Sequence, residues 1–150
     1  MRLPRMLCLL SLSFAFENGR CEKAEEISYL SPADDTMQSA RFFDPKADSP
    51  VPMVVALHSW SSDYTQQLHE EIEKWCVENG WAFMHPNFRG RNRRREATGS
   101  ELAVKDIVSA VDYAKRTTQI DEDRVYLVGT SGGGYSCLLM AGRHPKLWAG

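Results

Sequence analysis

Residues 125–134 read Val125-Tyr126-Leu127-Val128-Gly129-Thr130-Ser131-Gly132-Gly133-Gly134. An apolar run leads directly into Gly-x-Ser-x-Gly, and residues 135–142 leave it with the composition of a helix. This strand–turn–helix context sets a serine at the tip of a strained turn. Gly129 and Gly133 are required there because a Cβ at either would collide with the neighbouring strand or helix. The turn lifts the Ser131 hydroxyl clear of the sheet, and the N-terminus of the next helix adds partial positive charge beside it. Ser131 is therefore the candidate nucleophile for attack on a carbonyl carbon. A phosphate loop does not fit, since no Lys follows as in GxxxxGK[ST] and Gly-x-Gly-x-x-Gly is out of register.

Working outward, residues 53–57 (Met-Val-Val-Ala-Leu) are apolar without alternation, as in a strand buried on both faces of a parallel sheet. His58-Ser59-Trp60 follows this strand, where the fold places its other oxyanion donor. The backbone N–H of Trp60 or Ser59 is expected to join that of Gly132, each such donor contributing on the order of 3 kcal/mol to the tetrahedral intermediate. Residues 27–30 and 37–43 read as a hairpin around Pro32-Ala33-Asp34-Asp35. Residues 66–79 predict an amphipathic helix with Leu68, Ile72, Trp75 and Cys76 on one face, closed by Gly80. Residues 81–84 predict a strand ended by Pro86. Ser100 caps a helix whose buried stripe is Ala103, Ile107, Ala110, Val111 and Ala114, and Asp121-Glu122-Asp123 reads as a turn. Strands alternating with helices after the hairpin predict one α/β domain over residues 25–150, with a mainly parallel sheet flanked by helices.

The stretch Gly-Thr-Ser-Gly-Gly-Gly-Tyr, preceded by Asp-Arg-Val-Tyr-Leu-Val and followed by Arg-His-Pro, resembles the catalytic domain of the prolyl oligopeptidase family of serine peptidases, an α/β-hydrolase fold. Pro86-Asn87-Phe88-Arg89-Gly90 resembles the loop that family carries before the helix leading to the nucleophile strand, and residues 54–63 resemble its oxyanion strand and loop. The likeness runs from about Val51 onward. Ser59 departs from the glycine expected after His58, and the family's propeller domain has no counterpart upstream. The resemblance implies an acyl-enzyme at Ser131 formed on a small peptide or ester substrate, with no cofactor and no metal. Carboxylesterases share the elbow, so an esterase is the alternative; a catalytically dead binding module is another.

In this fold the triad runs Ser, then Asp or Glu, then His. His144 falls at the end of the helix after Ser131 and points away from it, so the acid and base are not expected in this chain. The sequence thus reads as the N-terminal part of the domain, truncated, and nearly inactive by itself, because loss of the histidine costs about 10⁶ in turnover in a worked serine protease. His58 is the one internal candidate base. His69 and His85 read as surface or packing residues, and Asp63 and Asp106 as capping or solvated carboxylates. Arg89, Arg91, Arg93, Arg94 and Arg95 read as a solvated loop, with contact to nucleic acid or to an acidic substrate group as alternatives and Arg89 as a possible neighbour of the site. Trp75 and Trp81 read as core around a helix end.

A net charge of −2 supplies no electrostatic reason for a nucleic-acid or anionic-membrane partner. With 43% hydrophobic and 25% charged residues the chain is a globular rather than a disordered one. Arg2 and Arg5 precede an apolar run over residues 6–16, the layout of a secretory signal peptide and too short to span a bilayer. Residues 1–24 are therefore expected to be a leader, with cleavage after Ala15 or nearer Cys21 or Ala24, and the protein secreted or periplasmic; a mis-called start is the alternative and makes it cytoplasmic. Cys76 and Cys137, each inside a helix, are read as free thiols.

Overall fold

The computed structural model describes residues 23–149, so the leader assigned to residues 1–24 lies almost wholly outside the described residues. A five-stranded sheet has the order β1-β2-β4-β3-β5. The hairpin forms as expected, with β1 (Glu25–Ser31) antiparallel to β2 (Thr36–Phe43). β2 is also antiparallel to β4 (Ala82–Pro86), whereas β3 (Val51–Leu57) runs parallel to both β4 and β5 (Ile120–Gly129). The described sheet is therefore mixed, because the hairpin joins it edge-on.

All of β3 is buried because both faces of the sheet are covered. Met53, Val55 and Leu57 join Ile107, Val111 and Met140 on one face, toward α2 (Glu101–Thr117) and α3 (Gly132–Arg143). Val54 and Ala56 join Phe83 and Cys76 on the other, toward α1 (Glu70–Asn79). The period-2 alternation of a strand thus feeds two cores. Ser100 caps α2, its Oγ accepting from the Ala103 N–H at 3.2 Å, and the whole expected stripe of α2 is buried.

Several expectations need correction. The helix expected over residues 66–79 begins as a short 3-10 turn, Gln67–His69, before α1. Its buried side is His69, Glu73 and Cys76, while Leu68 and Trp75 are half exposed. The polar pair wins because it is satisfied: the His69 Nε2 meets the Leu57 carbonyl at 3.2 Å, and Glu73 takes the Arg41 guanidinium at 2.7 Å and the Ala24 N–H. Trp75 and Trp81 do pack, with ring centroids 4.9 Å apart; Trp81 is partly buried against the core on the α1 side, whereas Trp75 is half exposed.

The turn at Asp121 is an excursion within β5. Ile120 pairs with Val51 and Val125 with Met53, so residues 121–124 loop out of the ladder. Tyr126, Leu127 and Val128 are less buried than a doubly covered strand would be, because β5 is the edge strand of the described sheet. The Ala149 N–H bonds the Val125 carbonyl at 2.8 Å on that edge, so residues 147–149 enter beside β5 as a strand lead-in would.

Asp106 is neither a cap nor solvated. It is fully buried in α2 and holds Arg89, whose side chain is itself only 8% exposed. Arg89 Nε and Nη2 reach the two Asp106 carboxylate oxygens at 2.6 and 2.9 Å, and its other donors reach Asp34. The Ser31 hydroxyl donates to Asp106 at 2.5 Å. One guanidinium therefore ties the hairpin, the loop after β4 and α2 together, and Arg89 leaves the solvated run to which the sequence assigned it. Phe88, Arg89 and Gly90 all have positive φ (30°, 80° and 73°), a strained path held by this ion pair.

Candidate active site

β5 delivers Ser131 to the C-terminal edge of the parallel strands. The residue has φ 58° and ψ −118°, and the Gly133 N–H closes back on the Thr130 carbonyl at 3.0 Å. These are the dihedrals of the first central position of a type II′ turn, which glycine normally occupies. A serine there costs of order 1–3 kcal/mol, and such strain concentrates at functional sites. The side chain is exposed and makes no capping bond to α3, whose N-terminus it begins.

Close approach explains the surrounding glycines. A Cβ on Gly129 would lie 2.4 Å from the Gly133 carbonyl carbon, and one on Gly133 would lie 2.1 Å from the Leu57 carbonyl oxygen. A Cβ on Gly132 would lie 2.5 Å from the Trp60 nitrogen. The elbow and the loop after β3 therefore touch backbone to backbone. The Ser59 N–H, one of the two oxyanion candidates in that loop, is taken up by Gln66 Oε1 at 2.7 Å. The N–H groups of Trp60 and Gly132 have no acceptor among the described residues, and the Trp60 backbone packs against Gly132, next to Ser131.

His58 is not placed as a base. It is fully buried, stacked on Phe88 with centroids 3.9 Å apart, and its ring nitrogens are turned to the Asn87 carbonyl (2.8 Å) and the Ser59 carbonyl (3.1 Å). Burial pushes its pKa down. It acts as a strut, binding the loop after β4 to the loop after β3. His69 and His85 are both buried packing residues, rings 5.3 Å apart, and His144 closes the far end of α3, about 18 Å along the axis from Ser131. The chain has four histidines, and none of them stands beside the Ser131 hydroxyl.

Two residues at the site were missed in the sequence. Gln66 braces the oxyanion loop, which only a contact across seven residues reveals. Tyr135 packs its ring edge-on to Trp60, centroids 5.5 Å apart, and both rings are exposed, at 47% and 40%. The signal for Tyr135 was its place four residues after Ser131, on the same face of the first helical turn. Together the two rings form an exposed aromatic pair between the loop after β3 and the first turn of α3.

The architecture is that of the α/β hydrolases. Acylaminoacyl peptidase from Pyrococcus horikoshii superposes with a TM-score of 0.67 at 17% identity, covering 85% of this chain and 22% of that one. A CE1 ferulic acid esterase from Anaeromyces mucronatus gives 0.68 at 17%, covering 85% and 55%. Residues 66–150 match the prolyl oligopeptidase family, and the chain belongs to it. A relative in sequence is dipeptidyl aminopeptidase BIII of Pseudoxanthomonas mexicana, 33% identical over 104 residues, which are 63% of this chain and 15% of that protein. The chain thus spans about a seventh of that relative's length.

Proposed function

We propose that Ser131 is the nucleophile of a serine hydrolase that cleaves a peptide bond through an acyl-enzyme. Ser131 Oγ bonds to the carbonyl carbon, and the oxygen of the tetrahedral intermediate accepts from the N–H groups of Gly132 and Trp60. The C–N bond then breaks, the amine leaves with a proton, and water releases the acyl group. The proton from Oγ needs a base; in this fold the acid and the histidine follow the nucleophile in the chain. The observation that carries the reading is the backbone of Ser131, a non-glycine held in a glycine conformation with its hydroxyl free.

Family membership favours a peptide over an ester, and a carboxylesterase remains the second reading because the same elbow serves both. The basic and apolar start supports export as part of the proposal. The test is exposure of the chain, completed by a C-terminal segment that carries the acid and the histidine of this fold, to an alkyl fluorophosphonate, with the adduct located by mass spectrometry. An adduct on Ser131, absent from Ser131→Ala, supports the reading; a completed chain that forms no adduct on Ser131 overturns it and leaves a binding module on a hydrolase fold. Parallel amide and ester substrates of one acyl group then separate peptidase from esterase.

A further inference from the structure

Four arginines, Arg91, Arg93, Arg94 and Arg95, fall within five residues, and all four are exposed. Arg91 has a carboxylate partner, Asp63, at 3.6 Å. Arg93, Arg94 and Arg95 have no carboxylate within ion-pair distance among the described residues. Yet this is not a loose solvated loop. The Asn92 N–H donates to the Trp60 carbonyl at 3.0 Å, the Asn92 side-chain amide donates to the Ala97 carbonyl, and residues 95–97 close a 3-10 turn over the buried Ala97. Trp60 is the residue whose nitrogen abuts Gly132 beside Ser131. One residue thus joins the oxyanion donor on its N–H side to the arginine loop on its carbonyl side.

Holding like charges together at a fixed place raises their mutual repulsion, which a bound anion relieves. A chain of net charge −2 has no general use for such a patch, whereas a patch at the mouth of a site focuses field onto what enters. The geometry points to the loop over residues 91–95 as a specificity element that selects a substrate bearing a carboxylate close to its scissile bond. The inference rests on Ser131 as the reacting group. Guanidinium forks match carboxylates, and Asn92 ties the segment that carries them to the Trp60 loop, while the Arg94 Nη2 lies 3.4 Å from the Arg89 carbonyl.

Equilibrium binding to the full chain tests it with three short peptides: one with a glutamate and an amidated C-terminus, its glutamine isostere with a free C-terminus, and that isostere amidated. At low salt a carboxylate-bearing peptide binds about ten-fold tighter than the peptide with none, and comparison of the first two identifies whether a side chain or a C-terminus is read. The preference collapses near 1 M salt, where the Debye length is about 3 Å, and in the triple variant Arg93→Gln, Arg94→Gln, Arg95→Gln. These positions are exposed, so the variant keeps the thermal midpoint and the reaction of Ser131 with an uncharged fluorophosphonate. Equal binding of all three peptides, or a preference that survives in the triple variant, overturns the inference. So does tighter binding of an oligonucleotide without any carboxylate preference. Failure of fluorophosphonate labelling in the chain completed by the acid- and histidine-bearing segment, with the carboxylate preference intact, would instead count against Ser131 as nucleophile.

Discussion

The backbone nitrogen of Trp60 lies 2.5 Å from where a Cβ on Gly132 would sit, and the Trp60 ring carbon Cε3 lies 2.7 Å from the same point. A methyl group there meets backbone, which cannot swing aside as a side chain does. Gly132→Ala must push the loop after β3 outward and take the Trp60 N–H with it. The expected loss is about 1–3 kcal/mol of stability from overpacking. Where the enzyme turns over, an oxyanion donor out of place lowers kcat by about 10²–10³. Denaturant unfolding and the rate of fluorophosphonate labelling check the two effects separately; an unchanged labelling rate would remove Trp60 from the oxyanion site.

Ser131 should be a stability cost. Ser131→Gly relieves the φ 58° strain and is expected to raise stability by about 1 kcal/mol or more, while Ser131→Ala keeps the strain and does not. Both abolish labelling. Thermal midpoints of the two variants side by side make the comparison, and equal midpoints would mean that the turn stores no strain.

Asp106 carries the buried ion pair. Asp106→Ala leaves the Arg89 guanidinium, only 8% exposed, without its partner in α2 and removes the acceptor of the Ser31 hydroxyl. Breaking one side of such a pair costs about 3–5 kcal/mol. Replacing Arg89 and Asp106 together by apolar residues of similar volume should cost less than the single change. Urea unfolding of the single and double variants measures the difference.

Acid should weaken the packing under the oxyanion loop. His85 is buried near His69, His58 and Arg41; burial first, then these three groups, lower its pKa from 6.5 to about 3, and the Asp63 carboxylate opposes them. Burial lowers His58 and His69 as well. The unfolded chain therefore binds protons that the folded chain refuses, so stability is full above pH 6.5 and falls as pH drops from there toward 3. His85 alone contributes a slope approaching about 1.4 kcal/mol per pH unit in that window. Urea midpoints across it, for the chain and for His85→Leu, test this; a slope unchanged by the substitution would refute it.

The elements that local pattern governs were legible. The doubly buried β3, the hairpin at Pro32 and the α2 stripe follow from runs of apolar residues at period 2 or 3.6, since burial of one face is a property of neighbouring residues. The face of α1 was misread because His69 and Glu73 are polar, and their burial depends on Leu57 and Arg41, which come from distant strands. Arg89 and Asp106 escaped for the same reason: charged residues read as solvated until their partners, 17 residues apart, are brought together.

Sequence alone determined the fold class and the turn that carries Ser131, because a strand, a glycine-bounded turn and a helix are contiguous and their geometry is local. Only the tertiary structure decided which N–H of the loop after β3 stays free, what His58 does and where the arginines stand. Gln66 claims Ser59, two carbonyls and Phe88 claim His58, and Trp60 holds Asn92. Each is a pairing between segments remote in the chain, and no periodicity records which donor meets which acceptor once the backbone has closed on itself.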